Sequence, residues 1–238
     1  MIHLFRTTIT VPLISSLILA GGCAWGAGGG EEDVPAMHRN FSRTVDIQTG
    51  IVQGDLERAR KAAAWLIDPL NRSPFPTAVR EYEDAMLQSA SLIAEAPNLA
   101  TVSAQAGQLA AACGNCHQAL DGGPHFVVGS EAPQGKNQEA HMVRHIWAAD
   151  RMWEGLVGPS DEAWLAGAQA LTETNEALAP TFRAPIPPGS LVGLLQEMYA
   201  LANEAMGEPD PDGRADVYGR MLDTCSRCHA LASIGMEK

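Results

Sequence analysis

The chain has 238 residues with 46% apolar content, enough to bury one large core or two cores of about 100 residues each. Aspartate and glutamate outnumber lysine and arginine by 28 to 16, a net charge of −12. Such a surface favours solubility and excludes a phosphate backbone as partner, so no nucleic-acid role is expected.

Residues 1–22 read as an export signal. Arg6 stands in a start without acids, and an apolar stretch through Val11, Leu13, Ile14, Leu17, Ile18 and Leu19 follows. Pro12 and the serines make it too short and broken for a membrane-spanning helix. Ala20, Gly21, Gly22 and Cys23 resemble a bacterial lipoprotein box, in which Cys23 becomes the lipidated first residue of the mature chain. The alternative is ordinary cleavage near residues 24–27. Residues 23–33, glycine-rich and then acidic, form a flexible tether in either case. The expected location is therefore periplasmic, with possible membrane attachment through Cys23.

The remaining four cysteines fall in two copies of one arrangement, Cys113-Gly-Asn-Cys116-His117 and Cys225-Ser-Arg-Cys228-His229. This is the signature of covalent c-type haem attachment. On a helix the three side chains share one face, so two thioethers hold the porphyrin edge while the imidazole reaches the iron. Structural zinc does not need a histidine after each pair. A redox disulfide belongs after a strand in a βαβ unit, and this chain shows almost no strand pattern. Two haems are therefore the expected cofactors.

An internal repeat sets the architecture. Residues 37–66 match 142–171, with Met37 on Met142, Arg39 on Arg144, Phe41 on Ile146, Gly50 on Gly155, Val52 on Val157 and Leu66 on Leu171. The first half is expected to form helices at Val34–Val52, Leu56–Ile67, Ala78–Glu95 and Leu99–Ala119, with a proline-rich crossing from Asp68 to Thr77. In the second half Met142, Ile146, Ala149, Trp153 and Leu156 recur at helical spacing, and Ser160 caps the next helix. A second crossing, Ala179 to Ser190, leads to a helix capped by Ser190, striped by Leu191, Leu194, Leu195, Met198 and Ala202, and ended at Gly207. Asp210 to Gly213 reads as a turn before the last helix. The predicted fold is all-α, two tandem four-helix bundles over residues 34–120 and 138–238, joined by a linker at 121–137.

A four-helix bundle carrying its haem motif on the final helix resembles the class II cytochromes, the cytochrome c′ group, over nearly the whole of each half. Met142-Val-Arg-His145-Ile146 also looks like the first helix of an exported bacterial cytochrome domain, and Met37 to Phe41 repeats it with Asn40 in place of the histidine. The resemblance implies His117 and His229 as proximal iron ligands. It also implies a methionine on the first helix as the sixth ligand in low-spin members, which falls on Met37 and Met142. Neither half carries the aromatic and arginine that commonly follow the haem histidine in cytochrome c′.

Alternatives to those ligands stay open. His141 and His145 flank Met142 and His38 follows Met37, so bis-histidine ligation competes, although the repeat sets His38 on Val143 and His145 on Asn40. Met37 and Met142 also suit a plain apolar core. Arg39 and Arg144 stand where a guanidinium could pair with a haem propionate, and equally suit a helix surface. His125, in the linker, has no assigned role.

Electron transfer with redox partner proteins is the expected function. A gas-binding or sensory protein would need a five-coordinate iron, and a dihaem peroxidase would need two unlike haems with one open. No acid–base pair or nucleophile for other catalysis is recognisable.

Overall fold

The computed structural model describes residues 33–71, 75, 77–126, 131–135, 137–176, 189–208 and 210–231. The leader, Cys23 and most of the second crossing lie outside them. The described residues form eight α-helices and no strands. In order they are α1 (Asp33–Gln53), α2 (Leu56–Ile67), α3 (Arg80–Ala94), α4 (Leu99–Ala119), α5 (Gln138–Val157), α6 (Asp161–Glu176), α7 (Leu191–Gly207) and α8 (Pro211–Leu231). Short 3₁₀ turns at Pro69–Asn71 and Thr77–Val79 carry the first crossing. No helix among the described residues is long and apolar enough to cross a membrane.

Local chemistry accounts for the helix ends. Asp55, Asn98, Asn137, Ser160 and Ser190 each accept a bond from a backbone N–H three residues on, satisfying donors that the first turn leaves unpaired. The last helix begins earlier than its punctuation suggests. Asp210 accepts from Asp212 N at 3.1 Å and Pro211 occupies the first helical position, where its missing N–H costs nothing. The expected turn at 210–213 is therefore the opening turn of α8. The stripe expected on α5 also shifts. Ala148 and Met152 are fully buried beside Gly167 of α6, whereas Ile146 is 59% exposed. The reason is that α5 is packed on two sides, by α6 and by α4, and no single apolar stripe describes it.

Within each half consecutive helices pack together and the first touches the last. Gly50 and Gly155, matched in the repeat, make those first hairpins tight: a Cβ on either would stand 2.9 Å from Ala59 N or 2.7 Å from Trp164 N. The halves also meet extensively, because α4 lies along α8. With Cys113 set on Cys225, Gly107 corresponds to Gly219 and Ser103 to Ala215. A Cβ on Gly107 would fall 2.1 Å from Ala215 O, and one on Gly219 would fall 2.9 Å from Ser103 O. Reciprocal contacts of this kind are what a local two-fold axis produces.

The core is accordingly continuous across the halves, running from Ile51, Ala63 and Leu109 to Trp164, Met198 and Leu222. Tyr218 of α8 ties it together. Its hydroxyl accepts from Gln48 Nε2 of α1 at 2.8 Å and donates to Ala149 O of α5 at 3.1 Å. Gly107→Ala should therefore lower stability by about 1–3 kcal/mol through forced separation of α4 and α8. Gly207→Ala, at a position with nothing within 4 Å of the added Cβ, is expected to change it by less than about 0.5 kcal/mol. Denaturant midpoints of the two variants check the contrast, and equal midpoints would remove the crossing as a stabilising feature.

Candidate haem-binding sites

The first motif occupies the last turns of α4. Cys113 faces the core and burial pushes its thiol up to about 12. Cys116 lies nearer the surface, and burial followed by the charge of Glu83 on α3 raises it as well. Both remain protonated thiols near neutral pH and neither is in a disulfide. His117 is held on two sides. Its Nδ1 lies 2.7 Å from Val157 O at the end of α5. Only a protonated nitrogen bonds a carbonyl, so Nδ1 carries the hydrogen and Nε2 keeps its lone pair. On the other side Gly123, at φ +104, comes so close that a Cβ would stand 2.5 Å from the ring. Burial lowers the His117 pKa, opposed by the Val157 carbonyl, and the ring stays neutral.

The second motif repeats this arrangement with the partners exchanged. Burial pushes Cys225 up to about 12 and also raises Cys228, and His229 Nδ1 lies 2.7 Å from Val52 O at the end of α1. Val52 and Val157 are matched in the repeat. Each histidine is thus fixed by the first helix of the other half, an acceptor that the sequence does not reveal. Arg227, inside the motif, turns outward to pair with Glu197 at 2.9 Å and Asp223 at 3.4 Å.

Among the described residues no three His, Cys, Asp or Glu side chains converge as a closed metal-ion site requires. The thiols and imidazole of each motif instead lie along one helix. Beside Cys225 opens a cleft lined by His145 and Ala149 of α5, Leu171 of α6, Met198 of α7 and Tyr218 of α8. Its walls are apolar except for His145 and the tyrosine hydroxyl, which is already bonded.

The first-helix candidates are placed unequally. Met37 and Met142 are half-buried, and His38 and Arg39 are exposed. Arg144 is buried and donates from Nε to Pro133 O and from Nη2 to Gln134 Oε1, both at 2.9 Å. It clamps the connection between the halves onto α5. His141 and His145 stack with ring centroids 4.3 Å apart. Burial, then the neighbouring His141, His229 and Arg144, push His145 down to about 3, and its buried Nε2 has no hydrogen-bond partner. His125 is exposed in the connection.

Sequence reasoning did not single out Tyr218 or Gly123. The signals available were a tyrosine among the apolar residues of the last helix and a glycine pair, Gly122 and Gly123, a few residues beyond the first motif.

Comparison with protein-family models, with curated proteins and with solved structures finds no match to the chain.

Replacing Gly123 tests the support of His117. Gly123→Ala puts a side chain into both a left-handed backbone position and the imidazole, and should cost about 1–3 kcal/mol. Gly122→Ala, whose added Cβ meets nothing nearer than 3.7 Å, is the control. The His117 ring resonances should move only in the first variant, as read by NMR.

Proposed function

We propose that the chain is an exported dihaem c-type cytochrome that transfers electrons to and from redox partner proteins. On this reading it is built from two class II-like four-helix halves, residues 34–120 and 138–238. The observation that carries the reading is the state of each motif. In each, an imidazole is held through Nδ1 at 2.7 Å from a backbone carbonyl, four residues after the first of two unpaired thiols on the same helix.

Cys113 and Cys116 would hold the first haem and Cys225 and Cys228 the second, with His117 and His229 as proximal ligands. When bound, each haem supplies a one-electron Fe(III)/Fe(II) couple. The residues do the rest. The backbone carbonyls of Val157 and Val52 orient the imidazoles and strengthen them as donors, because an N–H···O=C bond makes the remaining nitrogen more basic. On the other side, the first helix of the same half would hold the group: Met37 in the first half, and from α5 either Met142 or His145 in the second. A thioether raises the potential and closes the iron to outside ligands. Arg39, exposed, is available to a propionate, whereas the Arg144 guanidinium is engaged with Pro133 and Gln134. Export through residues 1–22 and lipidation of Cys23 complete the proposal and place the protein in the periplasm, at a membrane surface.

Protein matured in a host with c-type haem machinery should have the mass of the polypeptide plus two haems, both resistant to acid-acetone extraction. Cys113→Ala with Cys116→Ala should reduce the count to one. A mass equal to the bare polypeptide would overturn the reading. For the anchor, the mature protein should partition with membranes and Cys23→Ala should release it into the soluble fraction. A soluble wild-type protein beginning near residue 27 would show that Cys23 carries no lipid.

A further inference from the structure

We infer that His145, and not Met142, is the sixth ligand of the haem at Cys225, Cys228 and His229, so that the two haems carry unlike axial pairs. The inference rests on the haem reading above.

The His145 Nε2 is buried without a partner, and leaving a polar atom in that state is destabilising. It lines the same cleft as Cys225, among Ala149, Leu171 and Met198, none of which offers it a side-chain hydrogen bond. An iron on that side of the cleft would satisfy it. His141, stacked at 4.3 Å, restrains the ring. Three methionines compete. Met142 is not among the residues lining the cleft. Met198 and Met221 do line it, but a thioether packs against apolar walls without needing a polar partner, so nothing in their surroundings calls for a metal.

The first half differs at this position. Asn40 stands where the repeat places His145, and an asparagine amide is a poor ligand for haem iron. Met37 is then the first-helix ligand left to the first haem. An imidazole–thioether pair sits at higher potential than a pair of imidazoles, so the second haem should be the lower of the two.

The test uses the full-length haem-loaded protein. The near-infrared band of thioether-to-iron ligation should correspond to no more than one of its two haems. His145→Ala should turn one haem per chain high-spin and add one carbon monoxide site, and added imidazole should restore the low-spin spectrum. Met142→Leu, Met198→Leu and Met221→Leu should each leave the second haem low-spin. His145→Met, which keeps bulk and a donor at the site, should shift the lower potential upward. A thioether band for both haems in the wild type, an unchanged spectrum in His145→Ala, or loss of low-spin iron at the second haem in Met142→Leu, Met198→Leu or Met221→Leu would each overturn the assignment while leaving two haems in place. Absence of covalent haem would instead overturn the reading on which it rests.

Discussion

The close approach of α4 and α8 is the constraint on which the other features depend. Both helices end in a Cys-x-x-Cys-His motif, and both present small residues where they cross, Ser103 and Gly107 against Ala215 and Gly219. Helix axes normally pack about 8–10 Å apart, and glycine at the crossing permits the lower end of that range. A side chain there would part the helices. The effect would not stay local, because the halves share one core and Tyr218 is bonded to α1 and α5 at once.

The same crossing brings each histidine to a carbonyl that needs it. The last carbonyls of an α-helix have no intrahelical partner. α1 ends at Gln53 and α5 at Val157, so Val52 O and Val157 O are among those left over. The Nδ1–H groups of His229 and His117 satisfy them at 2.7 Å. The negative end of the helix dipole favours the protonated nitrogen facing it, which fixes the tautomer and turns Nε2 away from the helix end. One bond therefore closes a helix end, joins the halves and sets the imidazole.

Much of this was legible in the sequence, and the parts that were not share a physical cause. Helix positions follow from local signals, and Leu56–Ile67 and Leu99–Ala119 coincide with their expected limits because Asp55 and Asn98 cap them. The motifs are contiguous, so their cysteines and histidines could be named directly. Long-range partners carry no such mark. Val52 serves His229 through its backbone, and any residue at that place supplies the same carbonyl. Arg144 resembled Arg39 by repeat position, yet it is buried against Pro133 and Gln134 because its half has the connection beside it. Ile146 failed as a core residue because periodicity reports one face and α5 has two.

The repeat is most informative where its halves disagree. Around the two motifs they agree in two thiols, a histidine, a valine carbonyl from the opposite half and a small-residue crossing. Elsewhere they part, with Asn40 against His145, Thr44 against Ala149, and Ala106 against Tyr218. Thr44 bonds its own helix at Phe41 O, 2.8 Å away, and so offers its hydroxyl to that backbone. Ala149 lacks a hydroxyl, and its carbonyl is taken by Tyr218. Of the polar groups lining the cleft, the Tyr218 hydroxyl is bonded to Gln48 and Ala149, whereas Nε2 of His145 is buried without a partner. On the proposed reading, the duplicate histidine frames would give two haems a common means of attachment, whereas the unlike surroundings of Asn40 and His145 would give them different electronic properties. On the proposed reading, that combination is what separates a two-site electron carrier from two copies of the same site.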